Sequence, residues 1–386
     1  MNRNFVYNYL TRREESLPVS GQDALREEIF TLKKEALSKI RKLLELAVIN
    51  LEKNGCKVLV VKDAKEARAK VLELIGPAGK AVKSKSNTLD KLKLSDSVDL
   101  DLEETDLGAY IVSKIGGESG HPVLPAIEWK AGDIAKAFKE KRGLDLPLDA
   151  QSMVGKLKEI IREKIDQAEV GLTGANAITA NGEIVILENE GNAGLVARLN
   201  KKHIVVAGIE KIIENIEGAM KIVKAASVFG TGQSWPTYVN IINGPSKTAD
   251  IENELISGVH GPTEVVVVLI EGKVYEKLGS NLESMLYCIH CGACYDLCPS
   301  WNMSSVMPKV SDFEKNFKYC SLCQNCTFNC PAKIDWQNIT RIYREKFEQA
   351  GQTTVANQDM IENIRKYGNP FGETVDSQTP DKLFCC

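Results

Sequence analysis

The sequence predicts an α/β chain that runs into a small, cysteine-bearing helical domain. Short apolar runs of strand length alternate with amphipathic helical stretches from Lys57 to Ile270, which implies parallel βαβ units with ligand groups at the carboxyl ends of the strands. The second half rests on a repeat. Cys288, Cys291, Cys294 and Cys298 with Pro299 are spaced C-x2-C-x2-C-x3-C-P, and Cys320, Cys323, Cys326 and Cys330 with Pro331 repeat that spacing.

Residues 20–55 read as one long amphipathic helix. Ser20 and Asp23 stand at capping-box spacing, Ile29, Leu32, Ala36, Ile40, Leu43, Ala47 and Leu51 recur at helical intervals, and Asn54-Gly55 stops it. Lys57–Val61 is a short buried strand, Ala64–Ile75 a helix closed by Gly76-Pro77, and Lys80–Lys83 a strand ending in Ser84-Lys85-Ser86. A helix over 89–94 and a strand over 97–102 follow, then helices over 134–141 and 153–167. Residues 168–192 read as strand, glycine-containing turn, strand, Asn181-Gly182 hairpin turn and strand. Lys202–Gly208 is a further buried strand backed by a helix over 211–226, residues 229–245 a loop, and Glu264–Ile270 the strand that closes the sheet. A helical linker over 281–287 enters the cysteine repeat, 336–350 is helical, and a polar tail follows from 351. The expected domains are an N-terminal helical segment (1–55), an α/β domain (56–275), a cysteine-bearing domain (276–350) and a tail that docks a partner (351–386).

Three thiolates two residues apart can wrap one face of an iron–sulfur cube, because a tight loop turns successive sulfurs toward a common centre. The fourth cysteine lies beyond a change of direction, ahead of a proline that fixes φ, and so serves the other cube. Two [4Fe–4S] clusters are expected: one on Cys288, Cys291, Cys294 and Cys330, the other on Cys320, Cys323, Cys326 and Cys298. A zinc ribbon separates its C-x2-C pairs by a longer spacer, and a disulfide framework belongs to short secreted chains. Neither calls for a third cysteine at the same interval. His290 reads as tuning the first cluster rather than ligating it. Of the 11 cysteines, three stand outside the repeat: Cys56, read as a small core residue, and Cys385 and Cys386, read as a flexible end.

With 49 Lys and Arg against 52 Asp and Glu, the formal charge of −3 gives no reason to expect nucleic acid or an anionic membrane. The apolar runs are of strand length and the N-terminus has no apolar leader, so a cytoplasmic protein without transmembrane segments is expected. No G-x-G-x-x-G opens a helix after a strand, so no flavin or NAD site is expected.

The segments Lys83-Ser-Lys-Ser86, Glu104-Thr-Asp-Leu-Gly108, Gly120-His-Pro-Val-Leu-Pro125, Gly171-Leu-Thr-Gly174-Ala-Asn176, Glu188-Asn-Glu-Gly191-Asn192, Val205-Val-Ala-Gly-Ile-Glu210-Lys211 and Gly230-Thr-Gly-Gln233 carry a resemblance. In this order, ahead of a ferredoxin-type repeat, they resemble the LUD domain of lactate-utilisation proteins of the LutB type, over residues 24–344. The resemblance implies an α/β LUD domain of NagB/RpiA/CoA-transferase-like fold, followed by an α-helical two-[4Fe–4S] ferredoxin-like domain. It also implies an electron-transfer subunit of a lactate-oxidising complex, with a CCG-domain (LutA-like) protein, a LutC-like LUD protein or a flavoprotein as partner. Asn369-Pro-Phe-Gly372 resembles a segment of heterodisulfide-reductase-type subunits that dock CCG proteins, which keeps another anaerobic redox complex open.

Read as residues, Lys83, Lys85, Gly174, Gly191 and Gly232 are candidates for an anion pocket, with ammonium groups at a strand end and backbone N–H groups left open by glycine. Glu188 and Glu190 are candidates for a carboxylate nucleophile by the CoA-transferase resemblance, an acyl or CoA-type alternative, against hydrogen bonding that merely anchors their loop. Since each cube carries one electron and lactate oxidation removes two, the expected role is a conduit without a complete active site of its own.

Overall fold

Described for residues 3–77, 79–97, 100–117, 121, 123–300 and 317–373, the computed structural model begins with three helices, α1 (Arg3–Ser16), α2 (Val19–Ser38) and α3 (Ile40–Lys53). The single helix expected over 20–55 is broken at Lys39, whose φ of −112° and ψ of 14° leave the helical region. Ser20 does not cap it either. The N-cap is Pro18, and no side chain caps the first turn. The break lets two apolar stripes bury separately, Leu25, Ile29, Ala36 and Leu37 on α2 and Ile40, Leu43, Ala47 and Leu51 on α3.

The alternation then runs β1 (Lys57–Val61), α4 (Ala64–Ile75), β2 (Lys80–Lys83), α5 (Asn87–Lys91), β3 (Asp101–Glu104), α6 (Leu107–Lys114), α7 (Ala131–Arg142), α8 (Ala150–Gln167) and β4 (Val170–Gly174). The strand expected over 97–102 thus forms slightly later. A hairpin of β5 (Ala177–Thr179) and β6 (Ile184–Glu188) turns on Gly182 at φ 89°, as Asn-Gly predicts. There follow α9 (Asn192–Leu199), β7 (Lys202–Gly208), β8 (Ile212–Ile213), α10 (Ile216–Thr231), β9 (Tyr238–Ile242), β10 (Lys247–Thr248), β11 (Ile256–Ser257) and β12 (Glu264–Ile270). The helix expected over 211–226 begins later because Asn215 caps it, its Oδ1 accepting from the Gly218 N–H at 3.0 Å. The loop expected over 229–245 contains β9, which pairs antiparallel with β6.

Six strands form a parallel sheet in the order β1-β12-β7-β4-β2-β3. β12 does not close this sheet; it lies inside it, between β1 and β7. Its run Val265-Val-Val-Val-Leu269 is buried throughout, as a strand covered on both faces requires. One face packs Ala67, Val71 and Ile75 of α4 against Leu172, Val206 and Val268, and the other packs Phe138, Leu157 and Val196 around Val82. A second sheet, β8-β5-β6-β9, carries Glu188 at the end of β6.

The strand order fixes where a ligand can enter. From β2 the chain steps outward to β3, whereas from β4 it steps the other way to β7 and β12, so the crevice at the carboxyl ends of β2 and β4 is a topological switch point. The cysteine repeat belongs to the same compact unit, Met1–Trp336. From Gln337 the chain forms a second unit. The polar stretch after Gly351 contains a helix, Val355–Tyr367, capped by Thr354 and ended at Gly368 in the left-handed region. Cys385 and Cys386 lie outside the described residues. No described helix is long and apolar enough to cross a membrane.

Candidate functional site

The two cysteine loops share little sequence beyond Cys and Pro, yet their backbones repeat. The residues on either side of the second cysteine are left-handed in both loops: His290 (φ 59°) and Gly292 (φ 83°) in the first, Leu322 (φ 57°) and Gln324 (φ 68°) in the second. Three of these four are not glycine, and each such residue costs about 1 kcal/mol or more, so the surroundings must hold the conformation. The His290 N–H donates to Cys288 Sγ and the Leu322 N–H to Cys320 Sγ, each at 3.4 Å. A short helix follows in each loop, Ala293–Asp296 and Asn325–Asn329.

Hydrogen bonds tie the loops together. Asn329 Nδ2 donates to the Ala293 carbonyl at 2.6 Å and Asn325 Nδ2 to the Leu297 carbonyl at 3.2 Å. The fourth cysteine of each motif acts electrostatically on the other motif, Cys330 on Cys291 and Cys294 and Cys298 on Cys326, and Cys326 acts on Cys294 as well. Burial first, then neighbouring sulfurs, pushes the Cys326 thiol up to about 12 and Cys291 and Cys294 well above their usual range; burial alone dominates at Cys330, pushed up to about 11.

Among the described residues no three His, Cys, Asp or Glu side chains converge as a single metal ion requires. Among the described cysteines none is in a disulfide. Two sulfur quartets with backbone N–H groups aimed at their sulfurs are a donor set that fits iron–sulfur clusters, which take thiolates and are tuned by hydrogen bonds to sulfur.

Helices α1, α2 and α10 back the two cysteine loops. Arg13 donates to Asn329 Oδ1, Tyr9 Oη donates to the Phe229 carbonyl at 2.5 Å, and Arg26 Nε donates to the Cys330 carbonyl at 3.1 Å. A Cβ on Gly230 would stand 2.6 Å from the Cys291 carbonyl oxygen, so only glycine lets α10 approach this closely. His121 is buried against Tyr295 of the short helix Ala293–Asp296. Its Nδ1 accepts from the Val123 and Leu124 N–H groups at 3.1 and 2.9 Å, so the proton sits on Nε2, which donates to Asp296 Oδ1 at 3.2 Å. His290 is pushed well below its usual pKa, by burial and then by Lys211, Lys91 and Lys33, and is therefore neutral.

A cavity of about 290 Å³ opens at the switch point and reaches the first cysteine loop. Its walls include Ser84, Lys85 and Ser86 after β2, Gly174 and Asn176 at β4, Glu188 and Glu190 after β6, Lys211, Ser227, His290 and Cys291. Gly174 permits the close pass of the β2 loop, since a Cβ there would meet Ser86 Oγ at 2.3 Å. Burial lowers the pKa of Lys85 and of Lys211; Lys211 Nζ also donates to the Ala175 carbonyl at 2.8 Å. Asp106 is raised to about 6 by burial and by Glu190, and Glu190 is raised by burial while accepting from the Leu107 N–H at 3.1 Å. Glu188 Oε1 accepts from the Gly194 N–H at 2.9 Å and from Asn240 Nδ2 at 2.7 Å. Its Oε2 and the Ser227 hydroxyl are buried without a hydrogen-bond partner among the described residues.

Of the residues singled out from sequence, Lys85, Gly174, Glu188 and Glu190 line this cavity and Lys83, Gly191 and Gly232 do not. Lys83 is held between Glu104 and Asp90, whose charges outweigh the burial that opposes its ammonium. Gly191 is the left-handed cap of α9, and Gly232 ends α10 against α1. Lys211 and Ser227 had not been singled out as site residues. Lys211 stands just past the carboxyl end of β7, and Ser227 is a polar residue on the buried stripe of α10; both are signals that the sequence carries.

The LUD domain profile matches residues 44–270. Lactate utilization protein B of Bacillus cytotoxicus is 29% identical over 332 residues, covering 80% of this chain and 68% of the relative. Lactate utilization protein B of Geobacillus kaustophilus is 28% identical over 333 residues with the same coverage, 80% and 68%. The crystal structure of a DUF162 family protein from Deinococcus radiodurans covers 60% of this chain and 98% of its own, at 14% identity and a TM-score of 0.34.

Proposed function

This chain belongs to the LUD-domain family, and from that premise we propose that it is the electron-transfer iron–sulfur subunit of a lactate-utilisation complex. The observation that carries the reading is the repeated backbone of the two cysteine loops, left-handed on both sides of the second cysteine and with an N–H directed at the sulfur of the first. Cys288, Cys291, Cys294 and Cys330 hold one [4Fe–4S] cluster, and Cys320, Cys323, Cys326 and Cys298 the other. Such clusters, when bound, supply one-electron chemistry at potentials set by burial, charge and hydrogen bonds to sulfur. The chain's part is to fix the thiolates, direct the His290 and Leu322 N–H groups at sulfur, and partly bury the inner quartet of Cys288, Cys291, Cys294 and Cys330. The relatives named lactate utilization protein B support the metabolic setting. Removing a pair of electrons from an organic substrate falls to a partner, of CCG-domain, LutC-like or flavoprotein type, and this chain relays them singly.

Anaerobic purification followed by iron and sulfide analysis and EPR of the reduced protein tests the reading. About eight irons per chain and two interacting S = 1/2 signals are expected. Fewer than about seven irons, or zinc in their place, would overturn it.

A further inference from the structure

We propose that the cavity at the switch point binds a small organic acid carrying a hydrogen-bond donor beside its carboxylate, a hydroxy or amino acid, in contact with the loop that holds Cys291. The site deepens the proposed function, and its redox consequence rests on that reading; its binding chemistry does not. Two observations independent of the cysteines support it. Lys85, half-buried, and Lys211, buried, bring two ammonium groups to a wall that also holds hydroxyl and amide groups, the environment that selects an anion. Opposite in character are Glu188 Oε2 and Ser227 Oγ. Glu188 is 7% exposed and Ser227 2%, and neither atom has a hydrogen-bond partner among the described residues. A buried carboxylate oxygen without a donor costs stability, so the site is completed by a ligand that donates.

Carboxylates share the wall, and Asp106 acts electrostatically on Lys85, so the lining offers both signs to a ligand that carries a carboxylate and a donor. Asp106 Oδ1 accepts from the Ala109 N–H at 2.9 Å and Glu190 Oε2 from the Leu107 N–H, so both are committed to the first turn of α6. Size adds a limit. At about 290 Å³ the space lies at the lower end for small-molecule sites, which suits a compact metabolite rather than a dinucleotide. Position adds a role: His290 and Cys291 form part of the wall, so an occupant touches the loop of the inner quartet.

The test is anaerobic isothermal titration calorimetry on the iron-loaded full chain with glycolate, glycine, acetate and inorganic phosphate, paired with EPR of the same samples. Glycolate or glycine is expected to bind saturably, at least tenfold more tightly than acetate, which leaves Glu188 Oε2 without a donor, and than phosphate. Lys85→Met is expected to weaken binding about tenfold or more and Ser227→Ala several-fold, with iron content unchanged. Ser227→Ala removes only an unpartnered hydroxyl, so it keeps the test valid should Lys85→Met fold poorly. No saturable binding, equal binding of acetate or phosphate, or binding indifferent to both substitutions in folded protein would overturn the site. Binding to a chain without iron would leave the site standing and remove the electron-transfer reading; full iron without binding would do the reverse.

Discussion

The two cysteine loops have one backbone and two environments. Around the first, Cys288 is pushed up by burial and pulled back by the His290 N–H, Lys33 and Lys91, and Lys33 and Lys211 are themselves buried. The cavity and Gly230 of α10 abut Cys291. Around the second, Cys323 is exposed, the charges acting on Cys326 are other sulfurs, and Tyr319 and Phe328 lie open to solvent. Left-handed residues at matching places hold the ligands, and the surroundings decide what each quartet meets. On the proposed reading the inner quartet meets a ligand and the outer one a partner protein.

The largest effect is expected from metal removal. An anaerobic chelator should lower the thermal midpoint of the chain, because left-handed His290, Leu322 and Gln324 and the buried thiols lose what holds them, at a cost of several kcal/mol. Melting followed by circular dichroism checks this, and an unchanged midpoint would separate the loops from the stability of the unit.

Acid should act on the sheet before it acts on the loops. His203 on β7 is buried, with Nε2 at 2.8 Å from Thr173 Oγ1, and burial lowers its pKa to about 4. The unfolded chain takes up a proton near pH 6.5 that the folded one refuses until about pH 4. Stability therefore falls as pH drops through that window, by about 3 kcal/mol. His203→Gln should flatten this slope in urea titrations across pH, whereas a persisting slope would place the acid lability at the cysteines.

Gly230→Ala presses a methyl group onto the Cys291 carbonyl and should destabilise by about 1–3 kcal/mol, altering the EPR of the inner centre alone. The smallest effect is electrostatic. Lys33→Met removes a buried positive charge near Cys288 and should lower the inner centre's reduction potential, about 40 mV for an interaction of about 1 kcal/mol, with the outer centre unmoved in a redox titration. Equal shifts at both centres would erase the distinction between the loops.

Much of the α/β layer was legible because strand length, glycine and proline punctuation and helical spacing are local properties. Lys57–Val61, Ala64–Ile75, Lys80–Lys83, Lys202–Gly208 and Glu264–Ile270 could be bounded from their own residues. What the sequence hid is non-local. β12 comes last yet lies inside the sheet, because its Val-rich run demands cover on both faces and finds it between β1 and β7. The break at Lys39 and the start of α10 depend on what each helix packs against and on one cap. The helix Val355–Tyr367 buries none of its residues, so it left little apolar signal to read. In the site, Lys85, Glu188 and Glu190 were visible at strand ends. Lys211 and Ser227 reach the same cavity from β7 and α10, and Lys83, although two residues from Lys85, turns to Glu104.

A serine at Cys298 probes the crossing of the quartets. EPR and iron content of Cys298→Ser should match those of Cys323→Ser, with the inner signal intact, and Cys330→Ser should match Cys291→Ser. If Cys298→Ser instead matched Cys291→Ser, each loop would be holding its own fourth sulfur, and the crossed ligand sets would be contradicted.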